Sequence, residues 1–469
     1  MKLSEKIGYG FGDMSSSMFW KLFSYFLPFF YSNVFGLSLA DAGVLMLVTR
    51  IWDAVSDPMM GIIADRTRTR WGKYRPYLLF FALPFAVCGI LLFTTPENGK
   101  VVWAYVTYLL MMTVYTGINV PYGSLLNVMT SDSDEKSVLS SYRMFFAYGG
   151  SFIALFAWEP LCNMFDKTRI ATEGAGGLEA ISTNPAAWQN AMIVIASCCL
   201  VLFLLSFLLT KEHVKSESTV SVGQDLNLLL KNKPWWILIG AALASNLFNT
   251  VRGTTTAYFF ADYIQQMVSL DGKWAFLVSA GIFLSIGEIA NMAGVVLAVP
   301  MSRHLGKKST YILSMAALIV LSAAFFFLPA TAGGYWAMLA FQLIISVFTG
   351  VISPLVWSMY ADVADYSELK DGTASTGLIF SSASMAQKFG GAFGGSAVMW
   401  LLAAFGYNTI AGAVQTETAI LGLRILMSWV PALVAALSIL VVWFYPLTKK
   451  KMSAVQAELA TIRSAESPE

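Results

Sequence analysis

Asp53 and Asp57 stand four residues apart in TRIWDAVSDPMMG (49–61), an otherwise apolar run. On a helix that spacing puts both on one face, with Cβ atoms about 6 Å apart. Two neighbouring carboxylates in apolar surroundings cannot both ionise cheaply, so one holds a proton or a cation lies between them. A hard cation such as Na⁺ wants several oxygen ligands. Ser56 adds an oxygen beside the pair, and Pro58 removes a backbone donor and loosens the helix just after it. The pattern reads as a loadable cation site. The competing reading is that each aspartate neutralises a cation, Arg50 lying one turn before Asp53. Other ionisable residues in apolar segments are few: Lys21, Arg50, Arg143, Arg252, Lys388, Arg424 and Glu288, with Asp13 and Glu159 nearer segment ends. Charge inside a bilayer is costly enough that each is a functional candidate.

The elements that hold these residues follow from composition. Of 469 residues, 57% are hydrophobic and 12% charged, about half the charged share of a soluble domain. Mean hydropathy is +0.64, so the apolar residues cannot all hide in one globular core. Apolar stretches near the length of about 20 residues that a spanning helix needs fall at 15–36, 42–64, 76–94, 102–123, 142–164, 188–210, 234–264, 274–300, 310–328, 334–360, 374–406 and 420–446. The expected fold is all-α and integral to the lipid bilayer. The start, MKLSEKIGYGFGDMSSS, has no cleavage pattern, so the first stretch reads as an uncleaved helix.

With the N-terminus inside, twenty of the thirty lysines and arginines fall in cytoplasmic segments, and only Lys100, Lys167, Arg169 and Lys273 on the other face. The positive-inside rule therefore predicts an even helix count and both termini in the cytoplasm. Segment 211–233 reads as a central cytoplasmic loop, with a short amphipathic helix at its centre. It joins a six-helix bundle at 1–210 to another at 234–448, and 449–469 is a cytoplasmic tail. GIIADRTRTRWGK and VPMSRHLGKKS end the second helix of each half, with Arg66 and Arg303 237 residues apart. Such weak duplication is what transporter folds built from repeats display. The outside segment 165–187 is polar and reads as a solvated loop.

Several function classes drop out. Net charge is +2, which gives no electrostatic case for nucleic acid. The only histidines, His213 and His304, fall in loops, and no nucleophile triad, zinc spacing or phosphate-binding loop is visible. The four cysteines read as packing residues. No cofactor is expected, no metal beyond a Na⁺ at Asp53 and Asp57, and no enzyme activity.

The stretch GIIADRTRTRWGKYRP (61–76) resembles the signature loop of the major facilitator superfamily, through Gly61, Asp65, Arg66, Arg70, Gly72 and Lys73. Its physical sense is a charged latch that pairs in one conformational state and opens in another. More specifically, KIGYGFGD, RIWDAVSDPMMG, YTGINVPYGSL (115–125), SYRMFF (141–146), ADVADYSELKDG (361–372), QKFGGAFGG (387–395) and the final WFYPLTKKK resemble the glycoside-pentoside-hexuronide:cation symporter family. The resemblance runs in order across essentially the whole chain. It implies a twelve-helix major facilitator fold, a multi-pass protein of a bacterial-type inner membrane that works as a monomer, and inward symport of a glycoside with Na⁺ or H⁺. It assigns the cation site to Asp53 and Asp57 with Thr116 as a further oxygen ligand, and makes Lys388 a link between cation and sugar sites. It adds Arg143, Asp362, Asp365 and Glu368 to the latch.

The melibiose permease branch of that family binds galactosides with acidic residues at positions that align with Ser17 and Asn119, and a stacking Trp where this chain has Gly123. NVPYGSL resembles the pentoside and hexuronide branches instead. A uronate would need a cationic partner in a dry cavity. Lys21 either serves that purpose or snorkels or pairs with Asp53, and Arg252 is either a substrate ligand or an external gate. Trp20, Tyr25, Tyr115, Tyr122 and Trp357 either stack on a sugar or pack. The other readings are a carrier of a free sugar acid or neutral oligosaccharide and, outside transport, a transporter-like membrane sensor.

Overall fold

The structure, a computed structural model, describes residues 1–130, 132–167, 181–213, 230–270, 272–371, 376–410 and 413–466. Among them, helices follow one another along the chain: α1 (Leu3–Tyr25), α2 (Leu39–Arg66), α3 (Arg75–Leu92), α4 (Lys100–Met129), α5 (Ser133–Phe165) and α6 (Pro185–Leu209) form a first set. A second set holds α7 (Lys233–Phe259), α8 (Ala280–Leu305), α9 (Lys307–Phe325), α10 (Ala332–Asp371), α11 (Thr376–Ala404) and α12, broken at Ser428 into Glu417–Met427 and Trp429–Trp443. A last helix, α13, spans Lys449–Glu466. The expected amphipathic helix of the central loop falls mainly on 214–229 and the polar loop mainly on 168–180, both outside the described residues.

Helix starts follow local chemistry. The side chains of Ser38, Asn184, Asn232, Ser279 and Thr416 each accept a backbone N–H of the turn that follows, satisfying donors that a helix cannot pair itself. Proline sits in the first turn of α3, α6 and α7, where its missing N–H costs nothing. Several helices overrun their apolar stretch. α1 begins at Leu3 and α10 runs on to Asp371 because the overhanging charges find partners: Lys6 with Glu135 at 3.2 Å, His213 with Glu5 at 2.7 Å, Lys307 with Asp362 at 2.7 Å. The tail is likewise no loose appendage, since Met452, Val455 and Leu459 on one face of α13 are buried in the core of the second set.

Among the described residues, eight helices are long and apolar enough to cross a membrane by length and composition: α3, α4, α5, α6, α8, α9, α10 and α12. The exceptions among the long helices, α1, α2, α7 and α11, are those that carry Lys21, Asp53, Asp57, Arg252 and Lys388. They are also where the two sets meet, as α2 against α11 and α1 against α7, with α5 against α8 completing the interface. Both first helices, α1 and α7, end in a five-residue π-turn, Phe30–Val34 and Phe260–Ile264.

The two sets close on the face away from the termini. There Ser32 Oγ lies 2.7 Å from Tyr258 Oη, Asn33 Nδ2 donates to Tyr407 Oη at 2.9 Å, and Ser396 Oγ donates to the Gly43 carbonyl at 2.8 Å. Glu159 of α5 accepts the Gly281 N–H at the start of α8 at 3.0 Å. A Cβ on Gly281 would stand 2.3 Å from the Leu155 carbonyl oxygen, so only glycine permits this approach. Among the described residues, further hydrogen bonds between the sets are Thr254 Oγ1 donating to the Ser24 carbonyl at 2.8 Å and, at mid-depth, Lys21 with Glu288 and Lys388 with Asp57.

Sequence reading overlooked Glu212, just past α6. Its carboxylate accepts the backbone N–H groups of Lys73, Tyr74 and Arg75, each at 2.8 Å, capping α3. Gly72 makes this possible with φ +119 and an absent Cβ that would lie 2.5 Å from that carboxylate. Glu212→Ala strands three donors and is expected to destabilise the protein by about 1–3 kcal/mol, seen as a lower Tm in detergent, with Glu212→Gln losing less. Equal Tm values for wild type and Glu212→Ala would refute this capping role.

Candidate functional site

At mid-depth α2 and α4 bring four side-chain oxygens together. Thr116 Oγ1 lies 3.1 Å from Asp53 Oδ1, 3.1 Å from Asp57 Oδ1 and 3.1 Å from Ser56 Oγ. One hydroxyl has one proton, so it can donate to only one of these oxygens at a time. Ser56 can donate its own proton to Thr116, which leaves one carboxylate contact as oxygen facing oxygen, an arrangement that a positive charge turns from repulsive to binding. Asp53 is fully buried and Asp57 is about a quarter exposed. Pro58 leaves the helix free of one internal bond beside Asp57.

The charge present comes from the other set. Lys388 of α11 places Nζ 3.1 Å from Asp53 Oδ2 and hydrogen-bonds Asp57 Oδ2. Two carboxylates and one ammonium leave the cluster one positive charge short of neutrality, and its four oxygens are the ligand chemistry of a hard monovalent cation. Arg50 does not neutralise Asp53 as its spacing allowed. Its guanidinium stacks 4.2 Å over the Trp20 ring, pulled there by a buried aromatic face.

Next to this cluster lies a polar cavity walled by both sets, in adjoining chambers of about 180, 150 and 40 Å³. Trp20, Lys21, Ser24, Tyr25 and Tyr148 of the first set face Asn246, Asn249, Asn291, Thr349 and Ser353 of the second. Trp357 and Gln387, the neighbour of Lys388, border the second chamber. Amides, hydroxyls and flat aromatic faces on opposed walls are the groups that hold a polyhydroxylated ligand.

Not every expected residue joins this cavity. Tyr122 is corrected to a packing role: it is 1% exposed, its hydroxyl donates to the Tyr9 carbonyl at 2.6 Å, and its ring stacks on Tyr9. Tyr115 stacks behind Trp20. Ser17 is half-buried, and the Asn119 side-chain oxygen is buried with no hydrogen-bond partner among the described residues. Lys21 pairs neither with Asp53 nor with headgroups. Its Nζ meets Glu288 Oε1 of α8 at 2.6 Å, because a carboxylate 267 positions away lies directly across the interface. Arg252 lines the smallest chamber but donates to the Met427 carbonyl at 2.9 Å and to Gln342 Oε1 at 2.7 Å. It thereby caps the first piece of broken α12.

The expected latch residues gather on the termini-bearing face. Where partners are described, they stay within one set: Arg143 Nε with Asp13 Oδ2 at 2.7 Å, Asp362 with Lys307, and the Gly72–Lys73 turn with Glu212. Arg66 and Arg70 are exposed, Arg70 over the Trp71 ring, and Gly61 faces open space. Asp365 and Glu368 lie half-buried on α10, whereas the Asp65 side chain is outside the described residues.

The chain matches the model of the family described as MFS/sugar transport protein over residues 8–449. It is 34% identical over 472 residues to the putative glycoside/cation symporter YagG of Escherichia coli (strain K12), covering 99% of this chain and 96% of that protein. It is 33% identical over 457 residues to the isoprimeverose transporter of Lactiplantibacillus pentosus, covering 95% and 89%. In fold it is similar to the crystal structure of the nucleoside transporter NupG, with a TM-score of 0.66, 14% identity and coverage of 95% and 100%.

Removing Lys388 leaves two carboxylates facing each other without compensation. Lys388→Met is expected to cost about 3–5 kcal/mol, and adding Asp57→Asn to recover most of it. Thermal unfolding of the two single variants and the double variant reads the coupling directly; strictly additive losses would show that the ammonium is not compensating this pair.

Proposed function

The chain belongs to the MFS/sugar transport protein family and, within it, to the glycoside-pentoside-hexuronide:cation symporters, and on that premise we propose that this transporter moves a pentoside or hexuronide inward with Na⁺ or H⁺ by alternating access. The observation that carries the reading is the four-oxygen cluster of Asp53, Asp57, Thr116 and Ser56, short of one positive charge and set against a polar cavity walled by both helix sets.

One monovalent cation brings the cluster to neutrality. It draws through Oδ1 on the same two carboxylates that Lys388 holds through Oδ2, so its arrival loosens their hold on that ammonium and frees its donors toward the chamber bordered by Gln387. Lys388 is then the physical link between ion and sugar, and by linkage each ligand tightens the other by the same factor. Residues 1–210 and 234–448 are the two moving bodies, joined by 211–233 and followed by the cytoplasmic tail 449–469. The cation asymmetry supports an orientation with both termini in the cytoplasm of a bacterial-type inner membrane. In that orientation the present state is closed outside and open inside. Gly61, Asp65, Arg66, Arg70, Gly72 and Lys73, with Arg143, Asp362, Asp365 and Glu368, form the inner latch of the opposite state, which agrees with pairing confined to one set where partners are described. Each set supplies one cavity wall, so a single chain completes the site.

The test is uptake by purified protein in liposomes, offering neutral and anionic glycosides under separate Na⁺ and pH gradients. Wild type should concentrate a glycoside under one gradient. Asp57→Asn should drop accumulation to the equilibrium level while counterflow exchange persists. Accumulation against a gradient by Asp57→Asn would end the cation-site reading.

A further inference from the structure

Glu288 is an acid that no ligand reading of the sequence employs. It sits on α8 with its side chain 4% exposed, between Gly287 and the cavity residue Asn291. Its Oε1 accepts from Lys21 Nζ at 2.6 Å, and Lys21 also reaches the Tyr25 hydroxyl at 3.4 Å. Its Oε2 is buried and has no hydrogen-bond partner among the described residues. A buried carboxylate oxygen left without a donor is unfavourable unless something supplies one. The residue borders the smallest chamber, and Lys21 and Tyr25 border the largest. The unpaired acceptor therefore sits in the wall of the space that a ligand must occupy.

We propose that Glu288 is the sugar-hydroxyl acceptor of this carrier, and that its ion pair with Lys21 makes the cavity select neutral glycosides over glycosides that carry a carboxylate. The inference rests on the transport reading above and narrows its substrate class. A hydroxyl donating to a carboxylate makes a charge-assisted bond, stronger than one to a neutral oxygen. Ser17 and Asn119 supply no carboxylate from the first helix set, so the acid comes from the second. The same arrangement repels a uronate. The charge of Lys21 is already cancelled by Glu288, and two donors of Arg252 are held by Met427 and Gln342. A ligand carboxylate would thus meet the second oxygen of Glu288 beside an ammonium already paired, with Arg252 turned to the end of α12 through two of its donors, the repulsive element that selectivity requires.

Glu288→Gln keeps the shape, removes the charged acceptor and frees the Lys21 ammonium. Binding of p-nitrophenyl β-D-xyloside and p-nitrophenyl β-D-glucuronide to purified protein in saturating coupling ion reads both effects. Wild type should prefer the xyloside. Glu288→Gln should bind it about tenfold or more weakly, and bind the glucuronide at least about tenfold more tightly. The double variant Lys21→Gln/Glu288→Gln, whose Tm reports folding, separates contact from support. It should stay weak for the xyloside and gain nothing for the glucuronide. Recovery of xyloside binding in the double variant would mean that Glu288 only neutralises Lys21, which overturns the proposal. So would a wild type that binds the glucuronide as well as the xyloside. Failure of wild type to bind any glycoside would instead remove the transport reading, and this inference with it.

Discussion

A charge taken out of water must be compensated where it lies, and the interior of this protein is arranged around that requirement. Lys388 meets Asp53 and Asp57, Lys21 meets Glu288, and both contacts cross from one helix set to the other at mid-depth. Breaking such a pair without a substitute costs several kcal/mol, so the sets cannot part at this level unless another charge or a ligand takes the vacated place. The electrostatic demand thereby ties the occupancy of the site to the relative position of the two bodies. Charged groups not used in this way are settled locally, as Arg143 with Asp13 and Arg252 with the end of a helix.

The same requirement explains where the helices are least apolar. α1, α2, α7 and α11 trade hydropathy for charged and polar groups, and the faces that carry them meet each other, while α2 still exposes Val55, Met59 and Ile62 on its other side. Their neighbours keep large apolar side chains on the outside, such as Leu83, Val296 and Leu433, each more than half exposed. On the closed face contact is steric and hydrogen-bonded instead: glycine at 281 admits the α5 backbone, and the hydroxyl pair of Ser32 and Tyr258 ties the first π-turn to the end of α7. Ionic contact at mid-depth and close packing at one face are complementary, since the first responds to ligand charge and the second makes the closed state definite.

What could be read from the sequence was what a single helix displays. Asp53 and Asp57 share a face by spacing alone, and the signature loop and family segments carried Thr116, Lys388 and the fold. Pairings between distant helices were not legible. Nothing near Lys21 announces Glu288, nothing near Arg50 says that it will lie on Trp20, and the role of Glu212 depends on a turn 139 residues earlier. Helix ends were misplaced for a related reason. An apolar window ends where charge begins, but α1, α10 and α13 continue because those charges are paired or because one face is buried.

The low hydropathy of α2 has a consequence for how the chain is made. Asp57 and Lys388 are 331 residues apart, so at roughly 5–20 residues per second the aspartate emerges roughly 15–65 s before its partner exists. Through that interval α2 must stay in or beside the membrane with two carboxylates uncompensated, held by its own hydroxyl neighbours Ser56 and Thr116 or by a borrowed proton or ion. A cation bound at this oxygen cluster, as proposed above, would also serve as a placeholder during biosynthesis. A membrane that supplies the ion early assists assembly of the carrier as well as its work.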